Sequence, residues 1–315
     1  DTGKGGGVGL GGDDPRLSGV AGGGVLRDIA RTAGAITLSE LTRFKAPAEG
    51  AASLALRTGD AAGIGFYLDN GRVHVGDLNT ATDAAYRAWP RDRASGLDSI
   101  MLAPTRDLVA TLNARARTDR ILTEVQPVGA EVTLADGNRA SARDTIITRA
   151  NARTLVITAT DWVKNGDRWA VTRVHPGGAL DVKHLRTARH VTLPAEYVAA
   201  STELGYASTV HGAQGVTTDT FHAVATGDES RQLFYVAMTR GRTGNDVYLV
   251  TAGDGDPHSV IKPETVRPPT ATDILAGVLT RDERQRSANT LVREQACPAT
   301  LLRDAAARYH DSLGV

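Results

Sequence analysis

Cysteine is almost missing from this sequence: Cys297 is the only one in 315 residues. A single thiol excludes a disulfide framework within the chain and a cysteine zinc cluster, and it fits a reducing compartment. Aromatic residues make up only 4%, so the cores must be built from Val, Leu, Ile and Ala. No run approaches the roughly 18 apolar residues of a membrane helix, and the N-terminus lacks a secretion-signal pattern. The expectation is a cytoplasmic protein with no membrane partner. Formal net charge is +0, so no global field draws in nucleic acid, and any DNA contact must come from a local cluster. Only five of the 36 basic residues are Lys. In a chain this rich in Arg, Ala and Gly, a lone Arg carries little functional weight.

A phosphate loop is also missing. The opening stretch DTGKGGGVGLGG sets Lys4 beside Gly3 and invites the pattern G-x-x-x-x-G-K-[ST]. Only two residues precede Gly3, the place after Lys4 is Gly5, and no strand leads into the loop. The stretch reads as a surface turn before a thin strand, Val8-Gly9-Leu10.

What is present is globular: 41% apolar and 23% charged residues, enough for two domains or one large core with an insertion. Residues 1–46 read as strand, loop, helix and strand. A helix is predicted over 49–58 and a hairpin over 66–76, around Asn70-Gly71. A helix from 79 to 92, the apolar strand SIMLAP at 99–104 and a helix with Leu108, Leu112 and Ala116 on one face follow. This alternation predicts an α/β sheet. Residues 130–194 change to short β-rich runs punctuated by Asp136-Gly137, Asn165-Gly166 and Pro176-Gly177-Gly178, the composition of a small inserted barrel. The α/β pattern resumes with YAST, a helix over 231–240 and the strand DVYLVT. A Pro-rich, charged linker precedes helices over 271–281 and 299–312.

Four segments carry chemistry. GYASTVHGAQGVTTD (205–219) delivers Thr209 and His211 from a strand into a turn built on Gly212 and Gly215, with Gln214 inside it. Hydroxyl, imidazole and free backbone N–H groups at a strand end can hold phosphate oxygens, although the same spacing also describes an ordinary Gly-rich loop. RQLFYVAMTRGR (231–242) is an apolar helix ending at Arg240-Gly241-Arg242. Its arginines either satisfy the helix's last carbonyls or act as an arginine finger on a γ-phosphate. LSELTRF (38–44) places Arg43 after a strand, and GGDDPRLSGVAGGGVL (11–26) places Asp13 at a strand end beside a loop.

Taken in order, these segments resemble the later motifs of superfamily 1 DNA helicases, and in particular the RecD-like motor of MobF-type conjugative relaxases, the TrwC and TraA kind. TVHGAQG is similar to T-V-H-[RK]-[AS]-Q-G, YVAMTRGR to Y-V-A-[LM]-T-R-[GA]-R, and LSELTRF to L-T-E-[VL]-x-R-F. LAPTRDLVATLN resembles the opening of a second RecA-like domain, and DTIITRANARTL…DWVKNGDRWAV its inserted SH3-like barrel.

The resemblance implies an α/β fold in five parts: the end of a first RecA-like lobe (1–46), a second lobe in two pieces (47–128 and 195–255), the SH3-like insertion (129–194), and a linker with C-terminal helices (256–315). It implies that Arg240 and Arg43 meet the γ-phosphate and that Asp13 couples hydrolysis to movement. Gln214, Gly215 and Arg16 would border the nucleotide. Thr209, His211 and Thr105 would contact single-stranded DNA. ATP and Mg²⁺ would serve an intact parent protein, with no metal ligand in this chain and no tight cofactor binding by it alone. The implied partners are single-stranded DNA and a parent relaxase region or conjugation machinery.

Two positions depart from the family pattern: Arg16 stands where a Gln is usual, and Gly212 where the family has a basic residue. The phosphate loop and magnesium-binding Asp-Glu are expected upstream of residue 1. The implied function is the C-terminal motor portion of an ATP-dependent single-stranded-DNA translocase, inactive as an ATPase by itself. The alternative is a non-catalytic remnant that binds single strands.

Overall fold

The computed structural model describes residues 44–251 and 269–282. The chain divides into two compact units, residues 1–40 with 282–315, and residues 41–281; the second is described below. The elements expected before residue 44, among them the sites of Asp13, Arg16 and Arg43, and the helix expected at 299–312 lie outside the described residues.

Two helices come first, α1 (Pro47–Thr58) and α2 (Ala62–Asp69). Strand β1 (Val73–Gly76), helix α3 (Leu78–Ala94), strand β2 (Ser99–Ala103) and helix α4 (Arg106–Thr123) follow. The hairpin expected at 66–76 is absent. Gly63, Ile64 and Tyr67 are buried at helical spacing, which carries the helix through FYLD. Asn70-Gly71, with Gly71 at φ 63°, then ends that helix instead of turning a hairpin. Beyond the insertion come β12 (Ala207–Thr209), β13 (Thr218–Ala225), α6 (Arg231–Ala237), β14 (Gly241–Val250) and α7 (Ala271–Thr280).

The central sheet has the order β1-β14-β13-β2-β12, and every pairing in it is parallel. The central strand β2 is buried along its whole length, as a strand covered by helices on each side requires. Ala225, Val247 and Leu249 face one layer, where Leu56 of α1, Tyr67 of α2, Phe234 of α6 and Leu279 of α7 close the core. Val224 and Tyr248 face the other way, onto Ala81 and Ala85 of α3. No helix among the described residues is long and apolar enough to cross a membrane.

The β-rich insertion interrupts the crossover between α4 and β12. Strands β5 (Thr145–Thr148), β8 (Arg168–Val174), β9 (Leu180–His184) and β10 (His190–Leu193) form an antiparallel sheet. Its fifth strand, β11 (Thr202–Leu204), follows the short helix α5 (Ala195–Ser201) and pairs with β5. The inserted sheet therefore extends past residue 194. Two small ladders complete it: β3 (Glu131–Thr133) with β4 (Arg139–Ser141), and β6 (Ala152–Thr158) with β7 (Asp161–Val163). Gly137 at φ 79°, Gly166 at 89° and Gly178 at 88° supply the positive-φ residues of its turns.

The insertion shares one continuous core with the α/β layer, running from Trp89, Met101 and Leu112 to Trp169 and Val182. A buried ionic hub reinforces the join. Asp144, fully buried, accepts from Arg117 Nε at 3.1 Å and Arg120 Nε at 2.9 Å, both on α4. It also accepts from Tyr206 Oη at 2.6 Å and from the Ser141 backbone N–H at 2.7 Å. Removing one member of such a cluster leaves the others charged and poorly hydrated. Asp144→Ala is expected to lower unfolding free energy by about 3–5 kcal/mol, read from urea denaturation. A loss below about 1 kcal/mol, the size typical of a surface pair, would show that the hub does not fasten the insertion.

Candidate functional site

Register places the candidate residues along the sheet. Thr209 of β12 pairs with Ala103 of β2. Thr209 and His211 therefore leave the sheet at the same edge as Thr105, two residues beyond Ala103. This is the carboxyl edge of parallel strands, where open α/β sheets bind ligands. Thr105 is the N-cap of α4, and its Oγ1 accepts from Leu108 N–H at 3.2 Å. Thr209 Oγ1 accepts from Gly212 N–H at 3.0 Å. Each hydroxyl uses an acceptor site in that bond and keeps its own proton to donate to an anion. Thr105 and His211 are exposed, and Thr209 is half-buried.

The chain then makes one helical turn. Ala213 N–H bonds Thr209 O at 2.9 Å, and Val216 N–H bonds Ala213 O at 3.0 Å. Gly215, at φ 88°, redirects the chain toward Thr218, the start of β13. Gln214 and Gly215 thus sit on the return path, against the insertion: a side chain at Gly166 would stand 3.1 Å from Gln214 O.

Arg240 lies at the opposite, amino edge of the sheet. Thr218 N–H bonds Arg240 O at 3.2 Å, and Thr218 pairs with Gly241 at the start of β14. The Arg240 side chain is 1% exposed. Its Nε donates to Val236 O at 2.9 Å, and Nη2 donates to Thr239 Oγ1 at 3.3 Å. Both of these bonds lie at the C-terminal end of α6.

The start of β14 bulges against β13, and this bulge loop is built around Asn245, a residue that sequence reasoning passed over. Gly241 N–H donates to Asn245 Oδ1 at 2.7 Å, and Asn245 Nδ2 donates back to Gly241 O at 3.0 Å. A Cβ on Gly241 would stand 2.3 Å from Gly244 O, so the loop admits only glycine there. Asn245 Nδ2 also donates to Glu49 Oε1 at 2.8 Å. Lys45, two residues beyond Arg43, donates its backbone N–H to Arg242 O at 2.8 Å. The N-terminal end of the described chain is thereby tied to the Arg240–Asn245 loop.

A family model described as an AAA domain matches residues 2–78. The sequence is 30% identical over 241 residues to the probable conjugal transfer protein TraA of Sinorhizobium fredii, covering 75% of this chain and 21% of that protein. It is 28% identical over 299 residues to the conjugal transfer protein TraA of Agrobacterium fabrum, covering 93% of this chain and 26% of that one. This chain belongs to the family of the TraA conjugal transfer proteins. It spans about a fifth to a quarter of the length of these TraA relatives. The crystal structure of Pif1 helicase from Bacteroides in complex with ADP-AlF3 and ssDNA is similar at 13% identity and a TM-score of 0.40, over 66% of this chain and 50% of that one.

Glu49 is the titratable group beside the Arg240–Asn245 loop. It is 2% exposed. Burial raises its pKa above the ordinary 4.5, and the Asn245 bond and Arg72 only partly offset that. A carboxyl with a folded-state pKa above its unfolded value destabilises the fold once ionised. Its contribution therefore falls as pH rises from about 4.5 through the raised value and is flat above that. Glu49→Gln keeps an acceptor for Asn245 and removes the charge. The variant's urea midpoint is expected to exceed that of the parent at pH 7.5, with the difference vanishing near pH 4. A variant no more stable at pH 7.5 would contradict the burial argument.

Proposed function

We propose that this chain is the C-terminal motor portion of an ATP-dependent single-stranded-DNA translocase, related to conjugative relaxase-helicases, and that it does not hydrolyse ATP at a useful rate by itself. The observation that carries the reading is the division of the candidate residues between two edges of one parallel sheet. Thr105, Thr209 and His211 lie at the carboxyl edge, and Arg240 directly precedes β14 at the amino edge. A motor must grip a strand at one place and sense a nucleotide at another, and the short segment 210–217 joins the two.

In this reading the central sheet is a second RecA-like lobe, and the antiparallel insertion is an SH3-like module that guides the strand. ATP and Mg²⁺ bind a longer protein that supplies a phosphate loop, because no G-x-x-x-x-G-K-[ST] occurs in these 315 residues. Affinity for the triphosphate rests mainly on that loop and its metal, whereas arginines act on charge developing in the transition state. For Arg240 to reach a phosphate, its bonds to Val236 and Thr239 must be exchanged for bonds to the nucleotide. Arg43 is the second proposed contact; the bond from Lys45 to Arg242 supports the pairing by tying the two segments together.

The buried, internally bonded state of Arg240 favours a second reading, a non-catalytic module that binds single strands. Both readings share the carboxyl-edge contacts.

The test is oligothymidylate binding by this chain, followed by fluorescence anisotropy, together with a steady-state ATPase assay. Binding is expected to weaken with salt. Thr209→Val and His211→Ala are each expected to weaken it about tenfold, the equivalent of one lost hydrogen bond to a charged group. Turnover is expected to stay below about one per second, the low end for enzymes. Absence of binding at low salt would overturn the single-strand reading, and faster turnover would overturn the claim of inactivity.

A further inference from the structure

Gly212 leaves a gap in the Thr209–Gly215 turn, at the position where the resembled motif carries Arg or Lys. The gap is filled from elsewhere in the chain. Arg149 follows β5 of the insertion, and its backbone N–H is held by Ser201 O at 2.8 Å. Its guanidinium reaches across to the turn. Nη1 donates to Gly212 O at 2.7 Å, Nη2 to Ser208 Oγ at 3.1 Å, and Nε to Glu203 Oε2 at 2.6 Å. A Cβ on residue 212 would stand 2.7 Å from Ser208 Oγ, 3.1 Å from Arg149 Nη1 and 3.1 Å from Thr209 Oγ1. A side chain at 212 would therefore crowd the Ser208 and Thr209 hydroxyls as well as the Arg149 guanidinium, and glycine leaves that space to them.

A guanidinium has five N–H donors in a planar fork. The bonds above use three of them, and the Arg149 side chain is 20% exposed. Its counter-ion Glu203 is 35% exposed, so water and salt screen that pair and leave the cation available to a second anion. The Thr209 hydroxyl stands beside the same point, and His211 is exposed on the same turn.

We infer that Arg149, carried by the antiparallel insertion, is a phosphodiester-binding cation of the Thr209–Gly212 turn and takes the place of the basic side chain that Gly212 lacks. The inference rests on the single-strand reading of the carboxyl edge. It makes the insertion a direct part of that edge. A fork already oriented by backbone and hydroxyl acceptors loses little freedom on meeting a phosphate, and guanidinium suits phosphate geometry.

The test is the salt dependence of oligothymidylate binding by the full chain. Each phosphate neutralised on a single strand adds about 0.7 to the steepness of log K against log salt. Arg149→Ala is expected to reduce the slope by about that amount. Arg149→Lys, which keeps the charge but not the fork, is expected to retain the parent slope. An unchanged slope for Arg149→Ala, with binding still weakened by Thr209→Val, would overturn the inference and leave the single-strand reading intact. An Arg149→Lys slope as shallow as that of Arg149→Ala would also overturn it, because the guanidinium would then be a brace and not a charge. Failure of the unsubstituted chain to bind the oligonucleotide would remove the single-strand reading, and the inference with it.

Discussion

After β12 the chain stands at the carboxyl edge of a parallel sheet, and it must begin β13 at the opposite edge. Register sets the distance: Thr209 is level with Ala103, while Thr220 is level with Ser99 and Thr218 lies two residues before that. At the usual rise of a parallel strand this is about 20 Å along the sheet. Parallel crossovers ordinarily take a dozen or more residues, yet here only residues 210–217 are available. One helical turn at the carboxyl edge, a left-handed Gly215 and an extended exit meet that demand. The demand explains why glycines stand in the turn and why Thr209 and His211 stay at the carboxyl edge. It also sets Gln214 on the return path toward the edge where Arg240 leads into β14.

The insertion holds this return path in place. Its own sheet is fastened to α4 by Asp144 and to β2 by Arg168, which donates to Asp98 Oδ1 at 2.6 Å and to Ser99 O at 3.0 Å. Burial lowers the Arg168 pKa and Asp98 works against that. From that anchored position Gly166 packs against Gln214 and Arg149 grips Gly212. The segment that joins the two edges of the central sheet is thus packed against the insertion.

Long periodic helices and fully apolar strands were legible in the sequence. SIMLA, the Leu108–Leu112–Ala116 face and DVYLV all fall in the elements expected of them. Asn70-Gly71 misled because that dipeptide serves helix ends as well as hairpins, and only the tertiary burial of Ile64 and Tyr67 decides between them. Thr105, Thr209 and His211, singled out by motif, share the carboxyl edge of the sheet because β2 and β12 pair in register. Arg149 was not legible, since it meets Gly212 across 63 positions of sequence, and an Arg after an apolar strand carries no local signal in an Arg-rich chain. Asn245 left only a faint trace, the G-x-x-x-N spacing after Arg240. Its value lies in a side-chain ring that closes on Gly241.

The central claim is that a single strand lies on the carboxyl edge of the parallel sheet. Photocrosslinking of this chain to an oligothymidylate carrying 4-thiothymine, with the attached peptides located by mass spectrometry, tests it most directly. The account predicts crosslinks in the segments around Thr105 and around Thr209–Gly212, together with the segment that carries Arg149. Crosslinks confined to α1, α6 and α7, with none at those segments, would contradict it.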